Sequence, residues 1–275
     1  DKGSFKRLAT LRLAGPSMVH DFIATPQHLI FFVPPLRLRV LRQMLGLGTV
    51  AKNFTWQAKQ GTEVLVVPID RPHDVLRFTT DAFFQWHFCN AFERGADLVV
   101  DAVTYPDCGP ERLLSNLLTE PNEIRADGRM TRFVLDRAQK KLRTEAILLN
   151  GSEFPRMAPG LGGQPYQYAY LLSTNPAVKG GGDALVEGDV TKLDVETGQV
   201  TRAHLGEGHY SSEPVFVPRA NANDEDAGYV LTLVYNADVH QSYVAIFDAQ
   251  QLDLGPLARV WFEHFIPPTL HGVWV

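Results

Sequence analysis

Residues 191–200 read TKLDVETGQV, and the fold assignment depends on this pattern. A strand is followed by a short turn that contains Asp194 and Gly198, and a second strand returns. Residues 132–142 (RFVLDRAQKKL) and 244–259 (VAIFDAQQLDLGPLAR) have a similar outline. Recurrent hairpins of this kind are typical of β-propeller blades, although any all-β sandwich is also compatible with them.

Short strands are predicted along most of the chain. They are rich in Val, Phe, Tyr, Thr and Ile, and turn residues bound them. The predicted strands cover residues 28–33, 62–67, 97–101, 132–135, 166–172, 189–193, 214–217, 229–234 and 242–248. The 22 glycines and 18 prolines among 275 residues are enough to separate many such strands. The sequence therefore predicts an all-β fold, and we take residues 1–275 as a single domain.

Composition excludes several classes of protein. A net charge of −5 argues against a dedicated nucleic-acid binder, which needs clustered cations. Cys89 and Cys108 form no CxxC zinc pair and cannot supply a disulfide framework. No apolar run approaches the roughly 18 to 20 residues that span a bilayer, and no signal peptide opens the chain. We expect a cytoplasmic protein, with association at a membrane surface left open.

One segment has a helical pattern. Residues 35–48 read PLRLRVLRQMLGLG, in which Leu36, Val40, Met44 and Leu47 recur at helical spacing and arginines interrupt the apolar surface. One interpretation is a short helix packed on the domain. The other is an interfacial element, residues 36–47, that inserts apolar side chains into lipid while arginines meet the headgroups.

Two loops are also predicted. Residues 176–188 (PAVKGGGDALVEG) are expected to form a mobile loop, and residues 221–228 (NANDEDAG) a solvated acidic turn. The acidic turn lacks the spacing of an EF-hand calcium loop.

Three histidines and two glutamates are candidates for metal chemistry. His20 lies in residues 15–22 (GPSMVHDF), His87 in the most aromatic segment, and His271 near the carboxyl terminus. Neutral imidazole suits iron, copper, zinc or nickel, and such a ligand normally donates its second ring N–H to a carboxylate or carbonyl. Glu153 and Glu213 precede apolar residues and are expected to be partly buried, so each needs a partner. Taken alone, each histidine is more simply explained as a hydrogen-bonded structural residue.

Six motifs follow one another in order. They are HDFIAT at 20–25 followed by HLIFF, WHFCNAFE at 86–93, GSEFPR at 151–156, PYQYAYLL at 165–172, SEPVFVPR at 212–219 with DEDAG at 224–228, and PPTLHGVW at 267–274. Together they resemble the motifs of the carotenoid cleavage oxygenases, a family that includes apocarotenoid and lignostilbene oxygenases and proteins of the retinal pigment epithelial membrane protein type. The resemblance covers roughly residues 15–275.

The resemblance implies a fold, a metal and a reaction. The fold is part of a seven-bladed β-propeller, its C-terminal blades, with a short helical cap element. Fe(II) is held by four histidines, of which His20, His87 and His271 match three, and by resemblance Glu153 orients His87 while Glu213 orients His271. The reaction is cleavage by O2 of a conjugated C=C bond of a carotenoid, apocarotenoid or stilbene, which gives two carbonyl products.

The sequence also departs from the family pattern. In the family, the fourth ligand histidine and a third glutamate, which would orient His20, come from upstream of the HDF motif. None of the residues before His20 is His or Glu here. We therefore expect the C-terminal part of a longer protein, incomplete for activity alone. The alternative is a metal-free β-propeller module with an interaction or structural role.

Other residues receive weaker assignments. Phe22, Phe88 and Phe92 are candidates to line the apolar tunnel that such substrates require. Asn90 and Glu93 are expected to make structural hydrogen bonds. Because the family often carries an apolar, membrane-facing patch, the resemblance adds weight to peripheral membrane contact through residues 36–47, and both interpretations of this segment stay open.

Overall fold

Strands dominate the computed structural model, which describes residues 6–109, 127–174, 188–267 and 269–275. In chain order the elements are β1 (Ile23–Ala24), β2 (His28–Val33), β3 (Leu36–Leu38), α1 (Val40–Met44), β4 (Phe54–Trp56), β5 (Thr62–Pro68), β6 (Leu76–Thr80), β7 (Phe84–Arg94), β8 (Asp97–Tyr105), β9 (Arg129–Asp136), β10 (Lys141–Asn150), β11 (Ser152–Met157), β12 (Tyr168–Ser173), β13 (Asp189–Asp194), β14 (Val200–Ala203), β15 (His209–Ser211), β16 (Val215–Pro218), β17 (Gly228–Asn236), β18 (Gln241–Asp248) and β19 (Ala258–Trp261). Short 3₁₀ turns lie at Ala51–Asn53, Ala58–Gln60 and Leu252–Leu254.

These strands form four successive antiparallel sheets, called sheets 1 to 4 here. Sheet 1 has the strand order β1-β2-β5-β6, sheet 2 β10-β9-β8-β7, sheet 3 β11-β12-β13-β14, and sheet 4 β15-β17-β18-β19 with β16 also paired to β17. Strands β3 and β4, which lie in the chain segment that connects β2 to β5, form a separate two-stranded ribbon. The sheets are blades of a partial β-propeller, which confirms the predicted all-β fold class.

Each predicted hairpin is present. Strands β13 and β14 pair Leu193 with Val200, as the pattern at residues 191–200 predicts. Strands β9 and β10 pair Leu135 with Leu142, and β18 pairs with β19. The turns of the first two hairpins are short, so local sequence determines their register, whereas nine residues separate β18 from β19.

The core consists of three apolar clusters, one at each junction between neighbouring sheets. The cluster between sheets 1 and 2 includes Ile30, Val64 and Val100, and the cluster between sheets 2 and 3 includes Val103 and Leu171. A third cluster lies between sheets 3 and 4. Because an inner sheet has a neighbour on both faces, its strands are apolar on both faces, and burial of each large side chain contributes about 1.5–3 kcal/mol.

The helical prediction for residues 36–47 is only partly correct. Leu36 lies in β3, opposite Trp56, and is fully buried. The helix α1 has five residues, and none of them is buried. The interpretation as a helix packed on the domain is therefore wrong for α1, because strand pairing, not the helical repeat, buries Leu36. Among the described residues, no helix has the length and apolar character needed to cross a membrane.

The acidic turn at residues 221–228 is not simply solvated. The Glu225 carboxylate accepts hydrogen bonds from the backbone N–H groups of Gln167 (2.9 Å) and Tyr168 (2.7 Å), and Asp226 forms an ion pair with Lys192. These carboxylates bind backbone N–H groups and the Lys192 ammonium on the side of sheet 3, so the turn connects sheets 3 and 4. The loop predicted at residues 176–188 lies outside the described residues except for its last position.

Candidate metal centre

Three histidines from distant parts of the chain converge at one place. His20 precedes β1, His87 lies on β7, and His271 lies in the segment after β19, where residues 269–275 form no strand. One ring nitrogen from each lies within 4.8 Å of the others. The ring centroids of His87 are 5.2 Å from His20 and 4.9 Å from His271. Within the described ranges, this is the cluster whose donor atoms could hold a metal ion.

An irregular strand presents His87. The pairing of β7 with β8 shifts register between Gln85 and Phe88 and again between Phe88 and Asn90. Such bulges bend a strand and change the direction of a side chain. The backbone N–H of Phe88 donates instead to Asp21 Oδ2 at 2.9 Å, so the residue after His20 is bonded to the strand that carries His87. Sequence reasoning missed this role of Asp21, although the residue stands within the HDF motif.

Glu153 lies directly behind His87. Its side chain is 1% exposed, and its Oε2 accepts from His87 Nδ1 (2.6 Å) and from the backbone N–H of Phe154 (2.6 Å). Its Oε1 accepts from the hydroxyl of Tyr105 at 2.5 Å. An ionised carboxylate can only accept, so the ring proton of neutral His87 resides on Nδ1.

Phe154 supports the same ring from another side. Its backbone adopts a left-handed conformation with φ 53°, which is uncommon for a bulky residue. Its ring is buried, with centroid distances of 5.2 Å to His87 and 5.9 Å to His271. The strained backbone of Phe154 lies at a register shift in β11, and its ring packs against the histidines.

Glu213 lies behind His271 in a similar way. Its Oε1 accepts from His271 Nδ1 at 3.2 Å, and its Oε2 accepts from the backbone N–H of Gly272 at 3.0 Å. Arg156 lies 3.7 Å from Glu213 Oε1 and donates to the carbonyl of Gly272 at 3.3 Å. These contacts fix a segment that no strand pairing holds.

The pKa values of His20 and His87 are shifted in opposite directions. Burial lowers the pKa of His20, and the nearby His87 lowers it further. Burial also works against the charged form of His87, but the Glu153 carboxylate and its hydrogen bond outweigh this effect and raise the pKa of His87. The cluster therefore favours a neutral His20, and Glu153 controls the proton of His87.

The residues present fit a bound metal. His87 Nε2 is buried and has no hydrogen-bond partner, although Nδ1 is fully engaged. A buried acceptor without a partner is destabilising, and a metal ion would satisfy this lone pair. Nitrogens that share one metal at about 2.1 Å lie up to ~4.2 Å apart, so small side-chain rotations would close the cluster.

A cleft of about 340 Å³ opens at the histidines. It is lined by His20, Asp21, His87, Phe88, Pro155, Arg156, Glu213 and His271. Of the three predicted tunnel residues, Phe88 borders this cleft. Phe92 packs in the core cluster between sheets 2 and 3, and Phe22 is half-exposed and stacks on Phe31 at 5.3 Å.

Asn90 and Glu93 make structural contacts. The Asn90 side chain donates to the carbonyls of Leu161 and Gln164 and is fully buried. Glu93 accepts from Thr25 Oγ1 at 2.5 Å and from His28 Nδ1 at 3.3 Å. Both residues anchor neighbouring loops to β7.

Comparison with known proteins identifies the family to which the chain belongs. Residues 1–275 match the family described as Retinal pigment epithelial membrane protein. The chain is 29% identical over 274 residues to apocarotenoid-15,15'-oxygenase of Synechocystis sp., with 99% of this chain and 55% of that protein covered. It is 30% identical over 274 residues to carotenoid isomerooxygenase of Galleria mellonella, with coverages of 94% and 52%.

Solved structures agree with these relatives. An ACO/RPE65 chimera superposes with a TM-score of 0.83 at 27% identity, covering 95% of this chain and 53% of that one. A cobalt-substituted Synechocystis ACO gives 0.82 at 27% identity, with coverages of 94% and 53%. The chain spans about half the length of the relatives that it matches.

Proposed function

Because the chain belongs to the retinal pigment epithelial membrane protein family, we propose that it forms part of a carotenoid cleavage oxygenase in which His20, His87 and His271 hold a ferrous ion. The observation that carries this proposal is the convergence of three imidazole nitrogens within 4.8 Å, with the buried Nε2 of His87 lacking any other partner. A metal-free module gives no reason for either feature. Relatives named carotenoid oxygenases and a cobalt-substituted neighbour support the proposal.

Ferrous iron, when bound, supplies a site for O2 activation, and adding both oxygen atoms across a conjugated C=C bond gives two carbonyl products. The residues of this chain prepare that site. Glu153 holds the proton of His87 on Nδ1 and so leaves the lone pair of Nε2 available to a metal ion. Glu213 holds His271 in the same manner. The two carboxylates also offset the positive charge of a metal ion bound at this buried place.

The substrate class follows from the relatives and from the site. We propose a carotenoid or apocarotenoid, with a stilbene as the other substrate class to be tested. Phe88 and Pro155 are the apolar residues among those that line the cleft, and a polyene would contact them.

We propose that such substrates reach the protein from a membrane surface, which the exposed segment around α1 would contact. Leu41 is 71% and Met44 is 79% exposed, while Arg39 and Arg42 lie beside them. Apolar side chains flanked by arginines suit the surface of a membrane with anionic lipids. Flotation with anionic vesicles tests this contact: replacing Leu41 and Met44 by Ser should abolish it, and unchanged flotation would contradict it.

Because the chain spans about half the length of its relatives, activity is tested in air with the Fe(II)-loaded complete protein that contains this chain. It is incubated separately with an apocarotenal, a full-length carotenoid and a stilbene, and carbonyl products are identified by chromatography and mass spectrometry. We expect aldehydes from a polyene and none from the His87→Ala variant. Equal product from His87→Ala would refute the assignment of the centre, and cleavage of the stilbene alone would refute the substrate class.

A further inference from the structure

The hydroxyl of Tyr105 bonds the oxygen of Glu153 that His87 does not use. Tyr105 is the last residue of β8 and is 2% exposed. Its hydroxyl is 2.5 Å from Glu153 Oε1, and Glu153 Oε2 is 2.6 Å from His87 Nδ1. Two consecutive hydrogen bonds therefore connect a buried tyrosine of sheet 2, through a glutamate of sheet 3, to a histidine of the candidate metal centre.

A glycine allows this close approach. A Cβ atom at Gly128 would lie 2.1 Å from the carbonyl oxygen of Ser152 and 3.0 Å from Tyr105 Cζ. The carbonyl of Gly128 also accepts from the backbone N–H of Ser152 at 2.9 Å. Any larger residue at position 128 would separate the hydroxyl end of Tyr105 from the backbone beside Glu153.

The contact has a direct effect on Glu153. A buried carboxylate needs every oxygen satisfied, and the hydroxyl of Tyr105 gives Oε1 a charge-assisted hydrogen bond. With Oε1 held, Oε2 is fixed towards His87 and the backbone of Phe154. The orientation of the His87 ring thus depends on Tyr105 and Gly128, which lie outside the sequence motifs.

We propose that Tyr105 is a positioning residue for His87, acting through Glu153, with Gly128 providing the space for its contact. The inference rests on the proposed function, because it assigns Tyr105 a role in metal affinity. Groups that touch a metal-bound histidine typically change affinity 10- to 100-fold, so a residue one contact further away should change it about 3- to 10-fold.

The test compares Tyr105→Phe with Tyr243→Phe in the full chain. Tyr243 is a matched control, because its buried hydroxyl has no hydrogen-bond partner and lies in sheet 4. Anaerobic Co(II) titration gives the affinity, the visible absorption of bound Co(II) reports ligand geometry, and thermal unfolding reports stability. We expect Tyr105→Phe to bind Co(II) about 3- to 10-fold more weakly with a changed spectrum, and Tyr243→Phe to stay within about twofold of wild type.

The same titration in a Glu153→Ala background, which leaves Tyr105 no side-chain oxygen or amide to bond, tests the route. If Tyr105 acts through Glu153, the Tyr105→Phe substitution should change affinity less than about twofold there. An unchanged affinity and spectrum for Tyr105→Phe, with lowered thermal stability alone, would overturn the inference and leave the metal centre standing. Failure of the wild-type chain to bind Co(II), or equal binding by His87→Ala, would instead remove the proposed centre itself and the inference with it.

Discussion

Replacing Glu153 by Gln removes a charge from behind His87 and leaves the shape of the side chain intact. Glu153 accepts three hydrogen bonds and is almost fully buried. Gln can keep both bonds at Oε2, and the hydroxyl of Tyr105 can turn to accept from the new amide. The charge is therefore the main loss.

The size of the effect follows from the strength of these bonds. A hydrogen bond to a charged group contributes about 1.5–3 kcal/mol, and a neutral one about 0.5–1.5 kcal/mol. A difference of about 1–1.5 kcal/mol at the His87 contact corresponds to a loss of about 5- to 13-fold in metal affinity. The pKa of His87 should fall as well, because Glu153 is the largest of the contributions that raise it against burial.

Anaerobic Co(II) titration against a competing chelator measures this loss. Glu93→Gln is the matched control, because Glu93 also bonds a histidine, His28, but does not line the cleft. We expect Glu93→Gln to bind Co(II) within about twofold of wild type. Binding by Glu153→Gln as tight as that of wild type, or an equal loss of Co(II) affinity in Glu93→Gln, would contradict this role of Glu153.

Three further predictions concern the sheets that carry the centre. Glu225→Ala should lower the free energy of unfolding by about 1.5–3 kcal/mol in urea denaturation, because two backbone N–H groups lose a charged acceptor; a change below about 0.5 kcal/mol would contradict the role of this turn. Cys89 should resist iodoacetamide at about pH 8 until the protein unfolds, since burial raises its pKa to about 12; rapid alkylation of the native protein, detected by mass spectrometry, would be inconsistent with this. Burial raises the pKa of Asp226, but its contact with Lys192 outweighs this and holds it below the ordinary value of 3.8. The resulting stabilisation is present above that value and is lost as the pH falls through the lowered pKa, so Asp226→Asn should flatten the dependence of Tm on pH below about pH 4, whereas an unchanged slope would count against the ion pair.

The fold was predictable where its determinants are local. The hairpin at residues 191–200 contains its own turn and both strands, so the sequence predicts its pairing. Strand β7 is different, because its apolar residues are nearly continuous and bulges interrupt its register. At residues 36–47 the helical repeat misleads, because tertiary pairing with β4 places Leu36 in a strand.

The centre shows a similar division. Spacing along the chain gives no reason to associate His20, His87 and His271. Only their positions in the ordered family motifs predict that they share one site. Tyr105 could not be recognised in the same way, because its contribution depends on where Glu153 lies in three dimensions. The left-handed backbone of Phe154 is likewise visible only in the structure.

Three histidines of this chain are proposed to hold one metal ion. The most direct test of this proposal is metal content after anaerobic loading with Fe(II) and gel filtration, measured by elemental analysis for wild type and for separate alanine variants at His20, His87 and His271. We expect about one iron per chain in the wild type and a clear loss in each variant. Iron content unchanged by all three substitutions, or no bound iron in the wild type, would contradict it.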